Sequence, residues 1–159
     1  MAAAPCSAFL AALGISLAGC ATPPRVAVNH VAGAFTSLAS EGVIVDAVAA
    51  RDLISIYRAN HGLAPLTIDP DLQAAARAKA QAMAAANSAS GGVTGVQRAL
   101  VVSNVSAGYH TVADAFSGWR GAPQQNANML NARARRMGIA TVYAPGSKYR
   151  VFWALVLTD

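Results

Sequence analysis

The side chains able to do chemistry near neutral pH are few. Three histidines, two cysteines and seven carboxylates are spread over 159 residues. One local arrangement invites a catalytic reading. Ser103 and Ser106 precede His110, which stands four residues ahead of Asp114, so a serine nucleophile, an imidazole base and an orienting carboxylate can be written down. Asp114 has a simpler explanation: with Thr111 it has the spacing of a helix capping box, and His110 and Asp114 then straddle a helix start. No catalytic residue is assigned. His61 precedes Gly62 at a helix end, and His30 lies in a segment without assignment. A zinc site takes three or four His, Cys or carboxylate ligands, and none are gathered here, so neither metal nor cofactor is expected.

Both cysteines, Cys6 and Cys20, fall in an uncharged stretch that runs from residue 1 to 24. Phe9 to Gly19 is an apolar run, shorter than the roughly 20 residues that cross a bilayer and of the length of a signal-peptide core. Its ending, Leu17-Ala18-Gly19-Cys20, resembles a bacterial lipobox, which implies cleavage before Cys20 and acylation of its thiol. Met1 to Ser7 carries no Lys or Arg, and a leader cleaved without lipidation is the alternative. Ala21 after the cysteine implies outer-membrane attachment on the periplasmic side; a soluble secreted or periplasmic form is the alternative. Ala21-Thr22-Pro23-Pro24-Arg25 reads as a tether. The division is a leader over 1–19, an acylated tether and unassigned segment over 20–45, and a folded domain over 46–159.

Composition narrows the rest. Ala supplies 38 residues, and Val, Ile, Leu and Phe together 37. That is enough for a core, and the core is expected to be helix-rich and built of small side chains. The net charge of +5 is modest, and outside Arg133, Arg135 and Arg136 the basic residues are scattered. Nucleic acid is therefore not an expected partner. The arginine cluster reads as a solvated loop, with anionic lipid headgroups as the other reading.

The elements follow from periodicity. A helix runs from Asp46 to His61-Gly62 with Ala49, Leu53, Ile56 or Tyr57 and Asn60 on one stripe. Asp69-Pro70 opens a second helix, N-cap followed by proline, which continues to about Asn87 with Leu72, Ala76, Ala80 and Met83 inward. Ser88 to Gly95 is a loop, and Ala99 to Val102 is β-prone. Thr111 opens a third helix that buries Val112, Ala115, Phe116 and Trp119. A short helix or turn spans Pro123 to Asn131. A closing hairpin pairs Met137–Tyr143 with Tyr149–Thr158, and the second strand, apolar on both faces, is central. The fold class is α+β.

Leu53 to Asn87, Asn104 to Trp119, Pro123 to Leu130 and Met137 to Thr158 together resemble, in order, the CAP superfamily of cysteine-rich secretory, antigen-5 and pathogenesis-related proteins, in its short, disulfide-free bacterial branch. The resemblance implies a three-layer α-β-α sandwich around an antiparallel sheet. It also implies a cleft with two histidines and two acidic residues, which in some members bind a divalent metal. Here Gly91 stands at the first histidine position, Ser103 at the glutamate before Asn104, Gln125 at the second histidine and Ala122 near the second acidic residue. None titrates near neutrality, so the cleft has no general base and too few metal ligands. Asn104, Tyr109 and His110 are cleft-lining candidates. The expected protein is an envelope-anchored, monomeric lipoprotein whose domain is a non-enzymatic binding or scaffold module for lipid, cell wall or protein, with a hydrolase using non-standard cleft residues as the alternative.

Overall fold

The computed structural model describes residue 1 and residues 28–159. A 3-10 helix over Val28–Phe35 occupies part of the unassigned segment. Helix α1, Ala47–Ala59, starts where the Asp46 carboxylate accepts the Ala49 amide at 2.9 Å. Helix α2, Pro70–Ala85, starts at Asp69, which accepts from Asp71 and Leu72. Helix α3, Val112–Gly121, is capped by Thr111, whose hydroxyl accepts the Asp114 amide at 3.1 Å. Helix α4 is the single short stretch Pro123–Met129.

Four strands form one sheet in the order β1-β3-β4-β2. Strands β2 (Val101–Ala107), β3 (Arg136–Ala144) and β4 (Arg150–Thr158) pair antiparallel. The expected antiparallel sheet gains an edge that sequence did not reveal: β1, Thr67–Ile68, pairs parallel with Arg136–Met137 and makes the sheet mixed. Two residues are too few for a period-2 pattern to register.

Strand β4 is central as expected. Val151, Trp153, Leu155 and Leu157 face α1 and α3, whereas Phe152, Ala154 and Val156 face α2. The result is a helix-sheet-helix sandwich. On α1 the expected stripe is corrected: Ala50, Ile54, Ser55 and Arg58 are buried, while Leu53 is half-buried and Asn60 exposed. Three polar residues, Asp52, Ser55 and Arg58, occupy core positions, so an apolar template picks the wrong phase.

The α2 stripe is buried as expected, yet Leu72 and Met83 are its only large members. Its hold on the sheet depends on close approach, and Gly138 provides it. A Cβ there would overlap the Leu72 carbonyl and the Gln73 amide. Asp69 donates its amide to the Met137 carbonyl at 2.9 Å, and the Gln73 carboxamide accepts from the Ile139 amide. Gly138→Ala is expected to cost about 1–3 kcal/mol, the usual penalty for overpacking, read as a lower denaturant midpoint. An unchanged midpoint would mean that α2 does not sit this close.

Candidate functional site

Two of the cleft positions that the resemblance implies, Ser103 and Gln125, meet at Ser103–Val105 of β2, the edge strand that α4 covers. Pro123 starts α4 with a φ already suited to a helix, and Gln124, Gln125 and Asn128 follow within one turn and a residue. The Gln125 side chain donates to the Val105 carbonyl at 3.0 Å. The Asn128 side chain donates to the Ser103 carbonyl at 3.1 Å and to Asn104 Oδ1 at 3.0 Å. Asn104, fully buried, returns a bond from its Nδ2 to the Gln125 carbonyl at 2.9 Å. Gln124 donates to Asn128 Oδ1 at 3.2 Å, and Tyr57 donates its hydroxyl to Asn126 Oδ1 at 2.9 Å. An uncovered sheet edge leaves its carbonyls unpaired; here side-chain amides pair two of them. Carboxamides donate and accept but carry no charge at neutral pH.

Arg58 fixes the far end of α4. It is fully buried in the last turn of α1. Its Nε donates to the Ala64 carbonyl at 2.9 Å, Nη1 to Met129 at 2.7 Å and Asn131 at 3.0 Å, and Nη2 to Ala134 at 2.9 Å. The last carbonyls of a helix have no internal partner and carry its negative pole, which suits a cation. Burial pushes the Arg58 pKa down, and the nearby charge of Arg135 adds to that.

The other expected positions are accounted for locally. Gly91 has φ +74°, and Lys79 Nζ lies under it, donating to the Ser90 carbonyl at 2.6 Å. A Cβ at Gly91 would come within 3.1 Å of that ammonium, and the positive φ itself disfavours any side chain there. Ala122 is the joint that ends α3 and opens α4. The donor set does not fit a divalent metal: Gly91 and Ala122 contribute no side-chain ligand, and the Ser103 and Gln125 groups are neutral. Among the described residues, no three His, Cys, Asp or Glu side chains gather to hold one.

The serine-histidine-aspartate set does not assemble. Ser103 shares the α2-facing side of β2 with Val101 and Val105, and Ser106 sits opposite, its hydroxyl accepting from Trp119 Nε1 at 3.1 Å. His110 and Asp114 instead border an open depression of about 410 Å³, lined also by Gly108, Tyr109, Ser117 and Gly118. The Tyr109 phenol packs on Gly118, and its carbonyl accepts from Trp153 Nε1 at 2.8 Å. Ser117 was not singled out in the sequence, although it lies three residues beyond Asp114 on the same helix. His61 ends α1, its Nδ1 2.9 Å from the Tyr57 carbonyl. Of the arginine cluster, Arg133 pairs with Asp159 at 2.9 Å, Arg136 lies 3.8 Å from Asp69, and Arg135 bonds the Ala132 and Ala134 carbonyls. The predicted lipidation site, Cys20, lies outside the described residues.

Comparison with known proteins agrees with the fold. The sequence profile of the cysteine-rich secretory protein family, CAP, matches residues 51–157. An extracellular SCP-domain protein of Bacillus anthracis superposes with a TM-score of 0.57 at 20% identity, covering 69% of this chain and 39% of that one. An outer surface protein of Borrelia burgdorferi gives 0.59 at 14% identity, covering 67% and 86%. A cysteine-rich secretory protein of Staphylococcus aureus gives 0.52 at 19%, covering 69% and 37%. The chain thus matches well under half the length of the Bacillus and Staphylococcus proteins. No curated protein matches it.

Asn104→Leu keeps the number and branching of the heavy atoms and removes both bonds. It is expected to cost about 1–3 kcal/mol for each buried group left unpaired, and to speed amide exchange in α4 before the rest of the domain. Uniform exchange with unchanged stability would show that Asn104 does not hold α4.

Proposed function

Because the chain belongs to the cysteine-rich secretory protein family, we propose that it is an envelope lipoprotein whose domain binds a ligand and performs no hydrolysis at the family's cleft. One observation carries this reading: the groups at the cleft positions do not titrate, and Gln125, with its neighbour Asn128, is spent on the edge of β2. A general base needs a free lone pair of suitable pKa within reach of substrate, and the carboxamides that replace it hold backbone instead. The anchor would be the acylated Cys20, facing the periplasm from the outer membrane. Two or three acyl chains, at about 0.8 kcal/mol per buried methylene, make such attachment effectively permanent.

The ligand class is a lipid or a cell-wall fragment. The test is an amide NMR titration of residues 21–159 with solubilised envelope lipids and with peptidoglycan fragments. Saturable shifts clustered at Ser103, Tyr109 and Gln125 are expected with one of the two. Shifts with neither would remove the ligand-binding reading and direct the search to protein partners by cross-linking.

The depression beside Tyr109 supports a second reading, a hydrolase that uses a hydroxyl, an imidazole and a carboxylate away from the family's positions. That reading requires a turnover that both His110→Ala and Ser117→Ala abolish. The binding reading expects no such turnover to be lost.

A further inference from the structure

The described residues beyond Met1 expose four large apolar side chains, and all fall between positions 35 and 48: Phe35 (69% exposed), Val43 (36%), Ile44 (72%) and Val48 (38%). They belong to one region. Gly33 lies against the Asp46 side chain, so the chain closes on itself with Phe35, Val43 and Ile44 inside that loop and Val48 just past it. Large side chains gathered at one place on an otherwise polar surface mark a contact site.

We propose that this apolar rim rests on the lipid bilayer that carries the acylated Cys20, an inference that depends on the lipoprotein reading above. The argument is one of length and of apolar exposure. Eight residue steps separate Cys20 from Val28, which at full extension span at most about 29 Å. The chain therefore enters the domain close to the bilayer, and it enters through the 3-10 helix that ends in Phe35. The same end of the domain carries charges of both signs, with Glu41, Asp46 and Asp114 exposed there. Leu38 donates its amide to the His110 carbonyl and Gly108 donates to Val151, which places this segment level with the start of β4. There the β3–β4 turn exposes Lys148 and Arg150. Exposed apolar side chains beside the point where an anchored chain enters suit burial at the boundary of acyl chains and headgroups.

The test uses the full chain, processed and acylated in cells, with one cysteine introduced by Ile44→Cys or, as control, Gln81→Cys. Gln81 is exposed on α2, across the sheet from the rim. Each protein is labelled with an environment-sensitive fluorophore and placed in vesicles of phosphatidylethanolamine and phosphatidylglycerol. At position 44 the emission is expected to shift to the blue and to be quenched by lipids bearing a quencher near the headgroup; at position 81 neither occurs. A probe at 44 that ignores lipid while the protein stays acylated and vesicle-bound overturns the proposal and leaves the lipoprotein reading intact. A blue shift that follows protein concentration without lipid quenching overturns it in favour of a second copy. Absence of acyl label removes the reading beneath it, and the proposal falls with that reading.

Discussion

A single buried cation organises the part of this domain that holds the candidate site. Arg58 has no water to solvate it, and its bonded partners are four backbone carbonyls drawn from the loop after α1, the end of α4 and the approach to β3. A guanidinium in that position is costly unless its hydrogen bonds are met, and each carbonyl is equally costly without a donor. Both demands are satisfied only when α1, α4 and the start of β3 hold one arrangement. The residue thus enforces a geometry.

With its end held by Arg58, α4 lies along the free edge of β2. The edge carbonyls of Ser103 and Val105 then need donors, and Gln125 and Asn128 supply them. Each neutral bond contributes only about 0.5–1.5 kcal/mol net, whereas leaving a buried group unpaired costs about 1–3 kcal/mol. The asymmetry ties Gln125 and Asn128 to the edge of β2. Lys79 has a similar effect on the opposite side, filling the space beneath Gly91.

The periodic parts of the chain were readable in advance. The faces of α2 and α3, the caps at Asp69 and Thr111, and the two-sided burial of β4 follow from spacing alone, because apolar side chains repeat there without interruption. Helix α1 was misread in phase because Ser55 and Arg58 sit in the core as hydrogen-bonding residues, which an apolar template scores as solvent-facing. Strand β1 and the 3-10 helix are too short or too irregular to leave a pattern. At the candidate site, the residue types at Gly91, Ser103 and Gln125 were legible and already pointed away from acid-base chemistry. Their partners were not, since the bonds between α4 and β2 span some twenty residues and depend on strand register. The depression beside His110 was half legible: Tyr109 and His110 stood out, and Ser117 did not.

The central claim is that the carboxamides at the cleft position serve as structural partners of β2. The most direct measurement follows the side-chain amide protons of Asn104, Gln125 and Asn128 by nitrogen-15 NMR, in water and with added zinc. The account predicts three dispersed pairs that exchange slowly with solvent and do not move when zinc is added. Pairs that exchange as fast as those of exposed residues, or that shift together on zinc addition, would contradict it and return this site to metal or ligand chemistry.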